Sequence, residues 1–560
     1  MSTALIRSWL TRPLSNRGAW IGFGVAAVVA AIVILRQYRG LTFFYDEWNF
    51  IQDRRGWGPG SFLAAHNEHF VAFPVFLFKA WFALFGLGSY WPYAVLAVLC
   101  HLLCVGMLFV LVRSWSNNEL ALGSAIALMF LGSAFEVLMW PFEIEISLCL
   151  ALGLGALLLL QRQSRRSDIW ACVLLILAIS SSTLAIPLIV AALVLILMQR
   201  FDWRRLLVVV VPIALYGAWY LKYGDSTAQL GNARYIPEYS AKQAAATLHA
   251  LLGLPPEFGS ALAVAALVVV IVALVKRWGT RTHLVPVLVA LVVMWTFLAL
   301  SRYGIAPPDS SRYLYPSAIL MVLAAAAIIG RQAITSITGR LVIVVALLMS
   351  LPTNISELAK GAAGWRGGSE EVRASLGALT EVRPLVPGSF NPQGHWAPQI
   401  QAGKFFAAAD QYGSTAFEPA EITSASDAAR AGADTVLLTA GALSVQPGSP
   451  EVGGIPPSIN SVADGTSSPG GVGCVRLSAS PGKAAVAILP VPTTGLVVTA
   501  LRADAPIRVA RYSVLGPGEP VATATPGGAS QVVRPTIALG PPPWRVQVAT
   551  GGVATLCRVK

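Results

Sequence analysis

Apolar runs long enough to cross roughly 30 Å of hydrocarbon recur along the chain from Trp20 to about Pro352, then stop. They predict eleven membrane helices, over residues 19–36, 92–113, 119–138, 146–161, 169–181, 184–199, 205–222, 260–277, 284–301, 314–330 and 340–353. Several are shorter than the ~20 residues a span usually needs. The first is read as a retained span rather than a cleaved signal peptide. It is long, lacks a small-residue cleavage site and ends in Arg36-Gln37-Tyr38-Arg39.

A further apolar segment, 71–85, decides the topology. If it does not cross and the N-terminus is inside, the inside loops collect Arg7, Arg12, Arg17, Arg113, Arg162, Arg165, Arg166, Arg200, Arg204, Arg205, Lys276, Arg277, Arg281, Arg331 and Arg340. The outside loops then hold Asp46, Glu47, Asp53, Glu68, Glu143, Glu145, Asp225, Glu238, Glu257 and Asp309. If it crosses, every later basic loop moves outside, against the positive-inside bias. The segment, with Pro74 and Lys79, is therefore read as a half-buried helix on the outer surface.

Past residue 355 no spanning run remains, and Gly, Pro, Ser and Thr cluster. The expected division is a membrane part over 1–353, a mixed helix-and-strand segment over 354–445, a linker or long loop over 446–470 and a β-sandwich-like end over 471–560. Short runs between turn signals at 473–479, 484–489, 496–501, 507–512, 532–538 and 544–548 predict its strands. Cys474 and Cys557 lie near its two ends. In an oxidising compartment they close a disulfide; a reduced buried pair is the alternative. Cys100, Cys104, Cys149 and Cys172 fall in spans and read as packing residues. No internal repeat of the transporter kind is found.

Composition agrees. The chain is 55% hydrophobic and 12% charged, about half the charge of a soluble domain, so neither a soluble nor a disordered protein fits. The net charge of +13 sits mostly in short loops between apolar runs, which matches membrane orientation rather than nucleic-acid binding. Richness in Arg, Ala, Val, Gly and Pro is the composition of a GC-rich bacterial genome.

Candidate chemistry gathers in the outer loops. The first reads Phe43-Phe44-Tyr45-Asp46-Glu47-Trp48-Asn49-Phe50. Aromatics belong at a membrane interface, but adjacent carboxylates there are costly without partners. An apolar wall raises a carboxylate pKa and suits it to general-base work; the plainer reading is a solvated acid paired with Arg54 or Arg55. Next comes His66-Asn67-Glu68-His69. On a helix the two histidines would share a face, as phosphate, sugar or metal ligands, but the spacing matches no zinc signature. Asn67 or His66 as a helix cap is the alternative.

The short loop Trp140-Pro141-Phe142-Glu143-Ile144-Glu145 holds further acids. Glu145 also fits as a first-turn acid favoured by the helix dipole, and Glu136 is either paired in the bundle or lines a cavity. Ser301-Arg302-Tyr303 and Ser311-Arg312-Tyr313 place arginines on the outer side, against the positive-inside trend. A phosphate would explain them; lipid headgroup anchoring is the alternative. Arg234 and Tyr235 could add to the same cavity, while His101 and His249 read as ordinary polar residues. Walker, G-x-S-x-G and metal-ligand cysteine patterns are missing from the sequence.

An acidic pair directly after the first span, surface helices in a long first outer loop, another acid in the next outer loop and Arg-Tyr at a late span resemble the GT-C superfamily of integral-membrane glycosyltransferases. The resemblance covers roughly residues 15–353 and rests on architecture and motif position. It implies a GT-C-like polytopic α-helical fold with an outer interfacial helix, followed by an extracytoplasmic α/β and β-sandwich-like domain.

The resemblance also implies an inverting sugar transferase using a polyprenyl-phosphate-linked donor in the plasma membrane. Carried over, Asp46 is the general base, and Glu47 or Glu143 orients the acceptor. Arg312, with Arg302, Tyr313, His66 or His69, holds the donor phosphate, and Trp48, Asn67, Glu68 and Arg234 contact substrate. The acceptor would be a glycan, glycolipid or protein. No cofactor is required by the pattern, although the His66–His69 run leaves a divalent metal open. Similar proteins with a β-rich end include actinobacterial cell-wall arabinofuranosyltransferases, and mannosyltransferases are a further relative. A flippase of lipid-linked saccharides is a rival disfavoured by spans made mostly of Leu, Val, Ala and Ile. A non-enzymatic envelope-assembly protein is another, and it requires Asp46 to be dispensable.

Overall fold

The computed structural model describes residues 13–199, 202–330, 337–392, 394–516 and 519–560. Arg7, Arg12, Arg200 and Arg331, counted above among the inside charges, lie outside the described residues. The chain divides into two compact units. One comprises Met1–Arg39, Arg54–Gly86 and Tyr90–Gly364; the other comprises Gly40–Asp53, Leu87–Ser89 and Trp365–Lys560.

The first unit is helical. Among the described residues, eight helices are long and apolar enough to cross a membrane: Asn16–Gln37, Trp91–Trp115, Pro141–Leu160, Trp203–Tyr223, Pro256–Lys276, Arg281–Arg302, Ser311–Ile329 and Ile337–Glu381. The chain is a multi-pass membrane protein, and these eight match eight of the eleven predicted spans. Arg165–Ile179 and Ala185–Met198 have only 15 and 14 residues, about 21–22 Å at 1.5 Å per residue. The predicted span at 119–138 is two helices, Asn118–Met129 and Gly132–Met139, bent by 46°.

That bend has its cause in packing. At Gly132 a side chain would collide with the Asn354 backbone carbonyl, so only glycine lets the two backbones touch. Asn354 then fills the gap with its own polar atoms. Its Oδ1 accepts from the Ser133 N–H and hydroxyl, and its Nδ2 donates to the Ala250 and Ser350 carbonyls. The break turns Glu136 onto a separate short limb, where it meets Arg312.

Burial separates lipid-facing from central helices. Ile21, Val25 and Val28 of Asn16–Gln37 are exposed, whereas most of Pro141–Leu160, apolar all round beyond its first two turns, is buried. The helix Ala72–Phe85 is 14 residues long, too short to cross unaided. Its Lys79 is buried. The ammonium donates to the Gly56 carbonyl and Ser61 Oγ and lies 4.9 and 4.5 Å from the Trp57 and Phe62 ring centroids, so it organises the preceding loop.

In the second unit, the helices Ala402–Tyr412, Pro419–Ser424 and Asp427–Thr439 precede eleven strands. These are β1 Leu443–Pro447, β2 Ser461–Ala463, β3 Gly465–Pro469, β4 Cys474–Ala479, β5 Ala485–Pro490, β6 Leu496–Ala500, β7 Ala505–Ala510, β8 Ala522–Ala524, β9 Gln531–Pro535, β10 Arg545–Thr550 and β11 Val553–Arg558. They form two antiparallel sheets in the orders β1-β9-β6-β11-β4-β3 and β2-β5-β10-β7-β8. Alternation buries one face of each, with Val546 and Val548 opposite Leu489 and Ala487 on one and Leu477 opposite Ala554 on the other.

Part of 446–470, read as linker or long loop, is paired strand. β3 is polar because it is an edge strand with an exposed face. Cys474 of β4 and Cys557 of β11 are opposite in register and joined by a disulfide.

Residues 40–53, read as a loop of the membrane part, fold with this second unit. Thr42 Oγ1 bonds Thr415 Oγ1 at 2.6 Å, Gln52 Oε1 accepts from the Gln401 N–H at 3.0 Å and Lys404 pairs with Asp53 at 2.6 Å.

Candidate functional site

The His66–His69 run is a two-residue turn, not a helix. The His66 and His69 N–H groups donate to each other's carbonyls at 3.2 and 2.8 Å, and Asn67 and Glu68 have φ of +44° and +72°. Two positive φ values define the tight hairpin turn that favours Asn-Gly. Asn tolerates the first position; a glutamate in the second costs on the order of 1 kcal/mol. The shared-face expectation therefore fails, because the i, i+3 spacing here spans a turn that ends before the helix at Ala72. The histidines part company. His66 is buried with its ring 5.0 Å from Phe142, while His69 faces a cavity with Nδ1 2.5 Å from Thr183 Oγ1. Burial, then the Arg302 charge, pushes the His69 pKa down to about 4, so the ring is neutral near pH 7.

Glu68 is held by three donors. The Thr227 N–H reaches Oε2 at 2.8 Å, and the Thr227 hydroxyl and Arg302 Nη1 reach Oε1 at 2.6 and 3.1 Å. Burial opposes ionisation, but the Thr227 hydrogen bonds and the Arg302 charge outweigh it and hold the carboxyl below its ordinary range.

Arg312, at the start of Ser311–Ile329, has two carboxylates. Its backbone N–H and Nε donate to Glu136 Oε2 at 3.1 Å and Nη2 to Oε1 at 3.3 Å; Nη1 lies 3.2 Å from Glu143 Oε1. The guanidinium also lies 5.4 Å from the Trp140 ring centroid. Of the readings open for Glu136, pairing within the bundle is the one observed.

These groups surround one cavity of about 730 Å³ in the helical unit. Its polar wall carries Asn67, Glu68, His69, Glu143, Glu145, Thr183, Asp225, Thr227, Arg302, Arg312 and Tyr313; Ile146, Leu184, Met294, Phe297, Leu298 and Ile305 form its apolar wall. The polar groups come from the N-terminal ends of Pro141–Leu160, Ala185–Met198 and Ser311–Ile329, the C-terminal end of Arg281–Arg302 and two loops. Phe297 and Ile305 are exposed. A charged head among the helix ends and an apolar stem along Met294–Leu298 would each meet matching chemistry.

Asp225, Thr183 and Thr227 were missed by sequence reasoning; the only signal was a polar run directly after a span. Arg234 is not among the residues lining the cavity. It lies in the short helix Leu230–Tyr235, whose Tyr235 ring stacks 3.8 Å from that of Tyr303, and the Arg234 guanidinium lies exposed over Tyr235. Among the described residues no group of three His, Cys, Asp or Glu side chains could hold a metal ion.

The first-loop acids belong to the second unit. Glu47 is fully buried, with Oε2 accepting the Phe44 N–H at 3.1 Å. Trp48, expected to touch substrate, is instead a core residue: it is buried, its Nε1 donates to the Phe43 carbonyl at 3.0 Å and its ring packs on Phe405. Asp46 remains half-exposed and follows Tyr45, whose φ of +45° is strained for a non-glycine residue.

No family model matches the sequence, and no curated protein matches it. Among solved structures the chain is similar to ArnT from Cupriavidus metallidurans bound to undecaprenyl phosphate, at 15% identity over 71% of this chain and 88% of that one, TM-score 0.43. The same protein in the apo state gives 14% identity, 73% and 91% coverage and TM-score 0.44. The Archaeoglobus fulgidus oligosaccharyltransferase tethered with an acceptor peptide gives 12%, 76% and 69%, and 0.38. Likeness at this level carries no conclusion about what this chain does.

Proposed function

We propose that the chain is a GT-C-type membrane glycosyltransferase that moves a sugar from a polyprenyl-phosphate donor to an acceptor on the outer face of the membrane, a cell-wall or surface glycan, a glycolipid or a protein. The observation that carries this reading is the two-sided cavity, apolar along Met294–Leu298 and charged at Arg302 and Arg312. A lipid-linked phosphate has that same division between tail and head. The charge count of the loops supports an inside N-terminus and an outer β-rich domain.

In this reaction the acceptor hydroxyl gives its proton to a carboxylate, its oxygen bonds to the anomeric carbon, and the bond from that carbon to the phosphate oxygen breaks. Polyprenyl phosphate leaves with the electron pair, and attack opposite the leaving group inverts the centre. Arginine hydrogen bonds that strengthen as charge builds on the phosphate lower the barrier. Asp46 is assigned as the base. Its place directly after the first span and its half-exposed position support the choice, whereas Glu47 is fully buried.

The test is photocrosslinking of a diazirine-bearing polyprenyl phosphate in nanodiscs. Crosslinks at Phe297 or Leu298 that disappear in Arg302→Ala are the expected result. Crosslinks spread over the lipid-facing helix Asn16–Gln37, unchanged in the variant, would overturn the reading.

A further inference from the structure

The two cavity arginines are held differently. Arg312 shares its guanidinium between Glu136 and Glu143, carboxylates on packed helices and helix ends. Arg302 meets Glu68, which stands on a two-residue turn in a backbone conformation that disfavours any side chain. The chain thus accepts strain at +72° to present a carboxylate there, where glycine would be the relaxed choice.

The group this carboxylate meets is an oxyanion receptor. A backbone N–H, a hydroxyl and a guanidinium converge on two oxygens over 2.6–3.1 Å, the donor set that also serves a phosphate. Glu68, Thr227 and Arg302 all line the cavity, so a phosphate head reaching Arg302 finds the carboxylate already on it.

We propose that Glu68 is an internal competitor for the phosphate head, and that donor binding exchanges its carboxylate for a phosphate on Arg302 and the Thr227 N–H and hydroxyl. The proposal rests on the lipid-phosphate reading above and adds to it a new ligand, Thr227, and an affinity set point. Competition by a tethered carboxylate weakens product binding as well, so it favours release of polyprenyl phosphate after transfer. The exchange is of partners only; no covalent bond changes.

The test measures undecaprenyl phosphate binding to the full chain in nanodiscs for wild type, Glu68→Gln, Glu68→Asp and Thr227→Val, with inorganic phosphate as a second probe. Gln removes the charge; Asp keeps it but is one methylene too short to meet both Thr227 and Arg302, so it serves if the Gln variant fails to fold. The expected result is lipid binding about tenfold tighter in Glu68→Gln or Glu68→Asp and several-fold weaker in Thr227→Val.

Saturable wild-type binding with equal or weaker binding in both Glu68 variants would overturn the competitor while leaving the lipid-phosphate reading intact. Inorganic phosphate bound with the same Glu68 dependence, and the lipid not bound, would keep the competitor and overturn the lipid reading. No saturable binding of either probe by any variant would overturn both.

Discussion

Arg312 grips Glu136 with three donors, its backbone N–H, Nε and Nη2, across 176 residues of sequence. This contact ties the short limb beyond the Gly132 bend to the start of Ser311–Ile329, and Glu143 leans on the same guanidinium at 3.2 Å. Removing the arginine leaves both carboxylates without this cation. Arg312→Met is therefore expected to lose roughly 2 kcal/mol of stability, less than a fully buried pair would because the arginine is partly exposed, and to lose sugar transfer. Thermal unfolding should show partial recovery in Arg312→Met/Glu136→Gln. Equal stability of wild type and the single variant would refute the tie.

The cavity histidine gives the protein an acid limit. His69 has its pKa lowered from 6.5 to about 4 in the folded chain, so the unfolded chain binds more protons between those values and stability falls as pH drops through that window. Glu68 is lowered from 4.5, and its contribution is lost as pH falls below that value. The unfolding midpoint should be flat near pH 7–8 and decline below about 6.5. His69→Asn should flatten the decline between 6.5 and 4, and Glu68→Gln should lower the neutral plateau and flatten the decline below about 4.5. A profile unchanged in His69→Asn would remove the histidine from this account.

The β4–β11 disulfide closes a loop with a sequence separation of 83. By chain entropy that crosslink is worth about 4–5 kcal/mol. Cys474→Ala/Cys557→Ala in the full chain should make the β-rich end the first part cleaved in limited proteolysis, with Cys100, Cys104, Cys149 and Cys172 untouched. A cleavage pattern identical to wild type would show that the sheets hold without the bond.

Arg511 is 1% exposed and donates to Glu381 Oε2 at 2.7 Å and the Gly540 carbonyl at 3.1 Å. Asp434 accepts the Arg511, Tyr512 and Ser513 N–H groups beside it. Arg511→Met leaves the largely covered Glu381 carboxylate without its cation, with the Tyr512 hydroxyl still donating to it, and is expected to cost about 3 kcal/mol. Arg511→Met/Glu381→Leu should recover much of that loss in thermal unfolding. A double variant as unstable as the single would mean the arginine acts by packing alone.

Much of the helical layout was legible because runs of Leu, Val, Ala and Ile leave a helix no polar face, and the alternating strands at 485–490 and 545–550 show their period directly. Long-range pairing was not legible. Nothing local in residues 40–53 announces that partners lie some 350 residues away, as Gln401 does from Gln52. The bend at Gly132 depends on Asn354, and the Glu136–Arg312 grip on a span far downstream; neither leaves a mark in composition. His66 and His69 misled because a spacing of three fits both one helical turn and a two-residue hairpin. Val553–Arg558 went unread because a Gly-Gly turn sets it off as a tail, although it pairs with both β4 and β6.

The most direct measurement is transfer of radiolabelled sugar from membrane polyprenyl phosphate to polymer, comparing wild type with Asp46→Asn at matched expression. Asn keeps the size and hydrogen bonding of the side chain but cannot take a proton. The account predicts transfer by wild type and its loss, by 100-fold or more (roughly the contribution of a general base), in Asp46→Asn with lipid binding retained. Undiminished transfer by Asp46→Asn would contradict the assignment of the base, and no transfer by wild type would contradict glycosyl transfer itself.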